Sequence, residues 1–253
     1  MEYTRNPSCE CSKYVDIDTI DFSKRKSIKD FWMKGYIYVN GSSIECDCHR
    51  KFRLRTRYDI LANQFGLEDS STLSQMKYLG TGNSFKRLKE VPKIAEAKNL
   101  KDLLVFIHGA DGNQKTTSVS KVICNLVTDG KTAEYVLYND LLEKMSAIGF
   151  DGSELLKIDW LFIDDCFSGE TINFKNVHNS FFNLILKRKK PTVLVSHMNR
   201  EEIMKSDGKP FCQKDMLTRV FNKVDKYKSE IEFNDNVGKI TTLENGPVDL
   251  WSL

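Results

Sequence analysis

An apolar run, Leu103-Leu104-Val105-Phe106-Ile107, leads straight into His108-Gly109-Ala110-Asp111-Gly112-Asn113-Gln114-Lys115-Thr116-Thr117, and no other stretch constrains the chain as tightly. The residues after it, Val119, Val122, Ile123, Leu126 and Val127, recur at helical spacing. Strand, glycine-bearing loop, Lys-Thr and helix follow one another in the layout G-x-x-x-x-G-K-[ST]. In such a loop the backbone N–H groups and the helix N-terminus surround phosphates, the lysine reaches the β- and γ-oxygens, and the hydroxyl holds Mg²⁺. Gly109, Ala110, Asp111, Gly112, Asn113, Gln114, Lys115, Thr116 and Thr117 are therefore the candidate nucleotide-binding residues, with ATP and Mg²⁺ the expected cofactors. One position departs from the pattern. Gln114 stands where the second glycine belongs, and a side chain there crowds the phosphate or strains the loop.

Strand candidates are 135–138, 159–163 and 192–196, besides 103–107, with 229–233 a further one, and helix-forming segments follow the first four. Asn139-Asp140 and Asn176 are candidate caps for two of those helices. Alternating strands and helices imply an α/β fold with a three-layer parallel sheet. Asp159-Trp160-Leu161-Phe162-Ile163-Asp164-Asp165 is an apolar strand ending in two acids. Beside a phosphate loop, Asp164 is placed to bind Mg²⁺ and Asp165 to orient or deprotonate a water. Pro191-Thr192-Val193-Leu194-Val195-Ser196-His197 ends a further strand in polar groups. His197 either senses a γ-phosphate or is a surface histidine. Arg219, in Asp215-Met216-Leu217-Thr218-Arg219-Val220, either reaches a neighbouring subunit's phosphate or makes a surface salt bridge.

The first 65 residues differ in character. They hold four of the seven cysteines, as Cys9-x-Cys11 and Cys46-x-Cys48, with His49 adjacent as a possible substitute ligand. Four soft donors suit tetrahedral Zn²⁺, although C-x-C is tighter than the usual spacing; reduced, unliganded thiols are the alternative. Cys124, Cys166 and Cys212 are dispersed and read as core or incidental thiols. The basic run His49-Arg50-Lys51-Phe52-Arg53-Leu54-Arg55-Thr56-Arg57 either contacts single-stranded DNA or is the solvated face of a helix whose apolar side is Phe52, Ile60, Leu61 and Phe65. Lys187-Arg188-Lys189-Lys190 is open in the same way. The expected organisation is a zinc-type module over 1–65, a connector over 66–99 and an ATPase-type domain over 100–253.

The order and wording of these motifs resemble the DnaC-type helicase loaders of bacteria and phages, a branch of the AAA+ ATPases close to the IstB-type transposition helpers. The resemblance runs from Leu103 to about Lys239. It rests on Leu161-Phe162-Ile163-Asp164-Asp165, on Pro191 to Ser196 followed by Glu201-Glu202-Ile203, and on Tyr135 to Leu142. It implies that Lys115 and Thr116 bind nucleotide and Mg²⁺, that Asp164 binds Mg²⁺ and that Asp165 is the base. It further implies that Arg219 is a finger acting on a neighbour and that Lys239 is a second sensor. Gln114, His197 and Lys239 replace the family's Gly, Asn and Arg, which points to weak or slow hydrolysis. Some loaders of this family carry an N-terminal zinc module that grips the replicative helicase. The implied partners are a hexameric replicative helicase, single-stranded DNA and further copies of the chain, with a phage source favoured by the drifted motifs. A transposition helper shares the same core, and a degenerate ATPase serving only as a binding module is the third reading.

Composition narrows the class without choosing among these. The 40% hydrophobic content is ordinary for a globular chain, no apolar run reaches membrane-spanning length, and the polar start, Met1-Glu2-Tyr3-Thr4-Arg5, leads one to expect a cytoplasmic protein without a membrane partner. The net charge of +3 decides nothing by itself.

Overall fold

The computed structural model describes residues 3, 5–25, 28–75, 83–147, 150, 152–167, 175–205 and 214–233. The chain divides into two compact units, Met1–Ile60 and Leu61–Leu253.

The first unit opens with a 3-10 turn at Glu10–Lys13, strand β1 (Val15–Asp16), a second turn at Ile17–Thr19 and the short helix α1 (Phe22–Arg25). Strands β2 (Phe31–Met33), β3 (Tyr36–Val39) and β4 (Ser42–Glu45) then form an antiparallel meander, with β1 parallel to β2 at its edge. Both hairpins turn on two residues with positive φ, Lys34-Gly35 and Asn40-Gly41, the conformation that matches strand twist. Gly35 is required for a second reason: a Cβ there would lie 2.2 Å from the His49 ring. Helix α2 (Asp47–Phe65) follows. Its buried positions are Leu54, Tyr58 and Ala62, whereas Ile60, expected on the apolar side, is 66% exposed.

The second unit carries a five-stranded sheet in the order β6-β7-β8-β5-β9, from β5 (Leu104–His108), β6 (Ala133–Leu137), β7 (Trp160–Asp164), β8 (Thr192–Ser196) and β9 (Glu230–Glu232). Every pairing is parallel. All five expected strands form, most of them shifted by one or two residues. The helices are α3 (Ser70–Gln75), α4 (Asn83–Ala97), α5 (Lys115–Thr128), α6 (Tyr138–Ser146), α7 (Ser153–Lys157), α8 (Lys175–Lys187), α9 (Arg200–Lys205) and α10 (Lys214–Tyr227). Alternation along the strands separates two faces. Leu104, Phe106, Leu161, Ile163 and Leu194 join the core under α6, α8 and α10, including Leu141, Phe181, Phe182 and Phe221. The intervening Val105, Ile107, Phe162, Val193 and Val195 are also fully buried, as are Val119 and Ile123 of α5. This is the three-layer arrangement that keeps both faces of a parallel sheet dry.

Three local expectations are corrected. The 66–99 stretch contains two helices, α3 and α4, and α4 buries Leu88, Val91, Ile94 and Ala95. Helix α6 begins at Tyr138, so Asn139-Asp140 falls inside its first turn, and its cap residue Leu137 makes no side-chain cap bond. Asn176 likewise lies within α8 rather than before it. Arg188, in a charge run left open between a nucleic-acid contact and a solvated face, is completely buried. Its guanidinium donates to the carbonyls of Leu155, Ile158 and Pro191 and to the Thr192 hydroxyl, joining the entrances to β7 and β8. Burial pushes its pKa down to about 10, opposed by the charge of Asp159.

At the same end of the sheet, Asp159 accepts from the Thr132 N–H and hydroxyl at 3.0 and 2.8 Å and from Lys190 at 2.8 Å. Burial raises its pKa, but Lys190 and Thr132 outweigh that and hold it at about 2, below the ordinary 3.8. A depressed carboxylate stabilises the fold above its unfolded pKa and loses that contribution as pH falls through the folded value. Stability is therefore expected to decline between pH 3.8 and about 2, with Asp159→Asn flattening that limb in urea unfolding across pH.

Candidate functional site

The loop between β5 and α5 is shaped by backbone conformation before any side chain acts. Gly109 has φ +149°, and a Cβ there would meet the Phe233 carbonyl at 1.9 Å. The close approach is held by Phe233 N–H to His108 O at 2.7 Å and by Asn113 Nδ2 to Phe233 O at 2.9 Å. Gly112 has φ +83°. Gln114, at φ 58° and ψ 24°, is left-handed, so the missing glycine leaves a real conformational debt. An L-residue in that region costs roughly 1–2 kcal/mol.

Lys115 folds back and donates to the carbonyls of Gly109 and Ala110 at 2.7 and 2.8 Å. Burial lowers its pKa, opposed by the charges of Asp111, Asp164 and Asp165. Thr116 Oγ1 donates to Asp164 Oδ2 at 2.7 Å, and the Tyr135 hydroxyl donates to the same oxygen at 2.8 Å. Asp164 Oδ1 accepts the Asp165 N–H at 2.7 Å. The Asp165 side chain is exposed, on a backbone with φ 56°. Burial, then the Asp164 charge, raises the Tyr135 pKa. The parallel strand ends bring Lys115, Thr116, Asp164, Asp165, Ser196 and His197 to one cavity of about 400 Å³ that Asp111 to Thr117 also line. Ser196 braces its rim by donating to Cys166 O at 2.8 Å and accepting the Met198 N–H at 3.0 Å. A hydroxyl and a carboxylate in contact beside a lysine are hard oxygen donors suited to Mg²⁺ beside phosphate.

Arg219 does not line this cavity; it is exposed on α10 with its guanidinium 3.6 Å from the Met216 sulfur. Lys239 and Cys212 lie outside the described residues. Cys166 is fully buried and its pKa is raised, first by burial and then by the Asp164 charge, so it is a core thiol. Cys124 is buried as well. Tyr135 is the site residue that motif reading misses, since it lies on β6, one strand from the acidic β7 and three from β5. Its signal was a tyrosine two residues before the end of the strand that neighbours the acidic one.

In the first unit, the sulfurs of Cys9, Cys11, Cys46 and Cys48 all lie within 4.8 Å of one another. The Cys11–Cys48 and Cys46–Cys48 separations are 3.4 Å, far from a disulfide's roughly 2.05 Å. Tetrahedral Zn–S bonds of about 2.3 Å place sulfurs about 3.8 Å apart, so the donor set fits zinc in number, softness and spacing. The Tyr3 hydroxyl lies 2.9 Å from Cys48 Sγ and 3.5 Å from Cys46 Sγ, within hydrogen-bonding reach of both sulfurs. His49 is not in the cluster: its Nδ1 is 2.9 Å from Glu45, which Arg53 also grips through two 3.0 Å bonds. Of the basic run, Arg50 pairs with Asp47 at 3.1 Å, while Lys51, Arg55 and Arg57 stay exposed.

Relieving the left-handed side chain has a measurable consequence. Gln114→Gly is expected to raise stability by at most about 1 kcal/mol, the strain gained less the extra chain entropy. Gln114→Val is expected to lose about 1–2 kcal/mol, because a β-branched residue is the least tolerant of this conformation. Denaturant unfolding of the two variants against the parent chain checks both signs.

No protein-family model matches the chain, and no curated protein sequence matches it. Solved structures do. A DnaI crystal structure superimposes with a TM-score of 0.51 at 16% identity, over 70% of this chain and 97% of that one. An AMPPCP-bound DnaA from Aquifex aeolicus gives 0.49 at 19% identity, and this chain spans about half of it (66% and 51% of the two chains). A DnaC helicase loader gives 0.45 at 13% identity, over 72% and 99%. At these identities the DnaI match speaks for architecture alone: with the parallel five-stranded sheet, the second unit has that structure's P-loop α/β fold, and the first unit holds a four-cysteine cluster that fits a zinc-type module.

Proposed function

We propose that the chain binds ATP with Mg²⁺ and delivers a replicative DNA helicase onto single-stranded DNA. The observation that carries the nucleotide half is the convergence of Lys115, Thr116, Asp164 and Asp165 on one cavity at the strand ends. The free N–H groups at the start of α5 and the Lys115 ammonium would receive the phosphates, Lys115 releasing its two loop carbonyls to do so. Thr116 and Asp164 would hold Mg²⁺, which would supply charge neutralisation to the bound phosphates. Asp165, exposed at the rim, orients water, and His197 faces the same space. Arg219, exposed on α10, suits action on a neighbouring copy rather than on its own cavity. Hydrolysis is slow in this reading, because Gln114 makes the phosphate loop strained and narrower.

The helicase half rests on the family resemblance and on the cysteine module, with the exposed Lys51, Arg55 and Arg57 available to a phosphate backbone. A cytoplasmic site of action belongs to the same reading; among the described residues no helix is long and apolar enough to cross a membrane. The left-handed Gln114 favours one competitor, a nucleotide-binding but non-hydrolysing module that occupies the helicase. A transposition helper would share the cavity and differ in partner.

Lys115→Ala is expected to weaken ATP binding by about 10–100-fold, the worth of charge-assisted bonds to phosphate, as read by titration calorimetry. Wild-type affinity in that variant would remove the proposal. Native mass spectrometry with a bacterial replicative helicase, with and without ATP, tests the partner: a mixed complex supports the loader, and none in either condition points to the transposition helper. Binding without Lys115-dependent turnover indicates the non-hydrolysing module.

Zinc is tested separately. The purified chain is expected to carry one Zn²⁺, and Cys46→Ser to lose it together with the structure of the first unit, seen as chelator-sensitive melting. A metal-free wild-type chain with four freely titrating thiols and an intact fold would rule the metal out.

A further inference from the structure

Tyr135 belongs to neither motif, yet its hydroxyl ends on the most buried charge of the cavity. Leu137 pairs with Asp164 and Tyr135 with Phe162, so Tyr135 and Asp164 are diagonal neighbours on one face of the β6–β7 pair. Diagonal neighbours are within reach of an aromatic side chain. The hydroxyl closes that gap at 2.8 Å, on the same Asp164 oxygen that Thr116 occupies at 2.7 Å. The two donors are differently mounted. Thr116 belongs to the loop and helix end that must meet a ligand, whereas Tyr135 is fixed in the sheet and only 2% exposed. Phe65, the last residue of α2, packs edge-on against the Tyr135 ring with centroids 5.3 Å apart.

We infer that Tyr135 is a positioning residue that holds the Asp164 carboxylate beside Thr116 Oγ1 for a divalent cation, with Phe65 bracing its ring. This rests on the nucleotide–Mg²⁺ reading of the cavity and adds to it a determinant outside the motifs. Tyr135 touches neither phosphate nor reacting water in this assignment; it acts through Asp164. A carboxylate left with one hydroxyl donor swings more freely, so the cation meets a less prepared site. A metal's outer-shell partners are typically worth tenfold or more in affinity.

The test is ATP binding by calorimetry, in chelator and across a Mg²⁺ titration, for wild type, Tyr135→Phe and Phe65→Leu. Tyr135→Phe is expected to need about tenfold more Mg²⁺ for half-saturation while binding in chelator stays within about twofold of wild type. Phe65→Leu is expected to shift the Mg²⁺ curve in the same direction by a smaller factor. A Tyr135→Phe curve that overlays wild type overturns the inference and leaves the nucleotide reading standing. Equal weakening with and without Mg²⁺ also overturns it, because that is what a merely structural tyrosine would give. A wild-type chain that binds no ATP in either condition brings down both. Should Tyr135→Phe fail to fold, Phe65→Leu decides alone, and an unshifted Mg²⁺ curve there overturns the inference.

Discussion

A carboxylate only 6% exposed cannot be left without donors, and the way Asp164 obtains them organises the second unit. One donor comes from the start of α5, one from β6 and one from the backbone at the end of β7 itself. The Tyr135 donor arrives only if β6 and β7 are in register, since Leu137 must lie opposite Asp164 for Tyr135 to reach it diagonally. A one-residue slip would turn Tyr135 to the other face. The same charge opposes the loss of charge on Lys115, whose burial alone would favour the neutral amine. Thus sheet register, loop position and the charge balance of the cavity meet at one buried carboxylate.

The loop in front of that group is held from the far side by β9. Phe233 ties to His108 through its N–H and to Asn113 through its carbonyl. Because the Phe233 carbonyl occupies the space where a Cβ would stand on residue 109, that glycine is a packing requirement. At Gln114 the opposite holds: the conformation asks for glycine and the chain supplies a side chain. Such strain persists only where the surroundings over-determine the backbone, and here the loop is pinned at Gly109 and Asn113 before it and by the α5 helix after it.

The sheet was legible because a buried parallel strand writes itself as a continuous apolar run, as four of the five do; β9, Glu230-Ile231-Glu232 at the sheet edge, alternates instead. The cavity was legible for a related reason: Lys115, Thr116, Asp164, Asp165 and His197 sit at strand ends, and parallel strands place all such ends on one edge. What escaped depends on partners distant in sequence. Arg188 looks like its lysine neighbours until the carbonyls of Leu155 and Ile158, some thirty positions earlier, come to it. Tyr135 acquires its meaning from Asp164, 29 positions away. Helix α4 was hidden by the polar segment before it, although Leu88, Val91 and Ala95 have helical spacing. Asn40-Gly41 between Tyr36–Val39 and Ser42–Glu45 is a plain hairpin signal that the cysteines on either side overshadowed.

The cysteine spacing shows how local geometry can overrule a pattern rule. In a continuous strand, residues two apart share a face but stand nearly 7 Å apart, about twice 3.4 Å; in a helix they diverge around the axis. Neither lets a C-x-C pair converge on one ion. Both pairs here straddle a junction. Cys9 is extended, at φ −80° and ψ 150°, and Cys11 lies in the 3-10 turn that follows. Cys46 follows β4, and Cys48 lies in the first turn of α2. The switch from extended to helical backbone inside each triplet turns the second sulfur back toward the first, which is how Cys46 and Cys48 come to 3.4 Å. The surrounding core is small, with Cys11, Trp32, Ile37 and Cys46 as its buried members. Two of those four buried members are cysteines, so a unit this thin in apolar mass would gain much of its stability from a metal held by the four sulfurs.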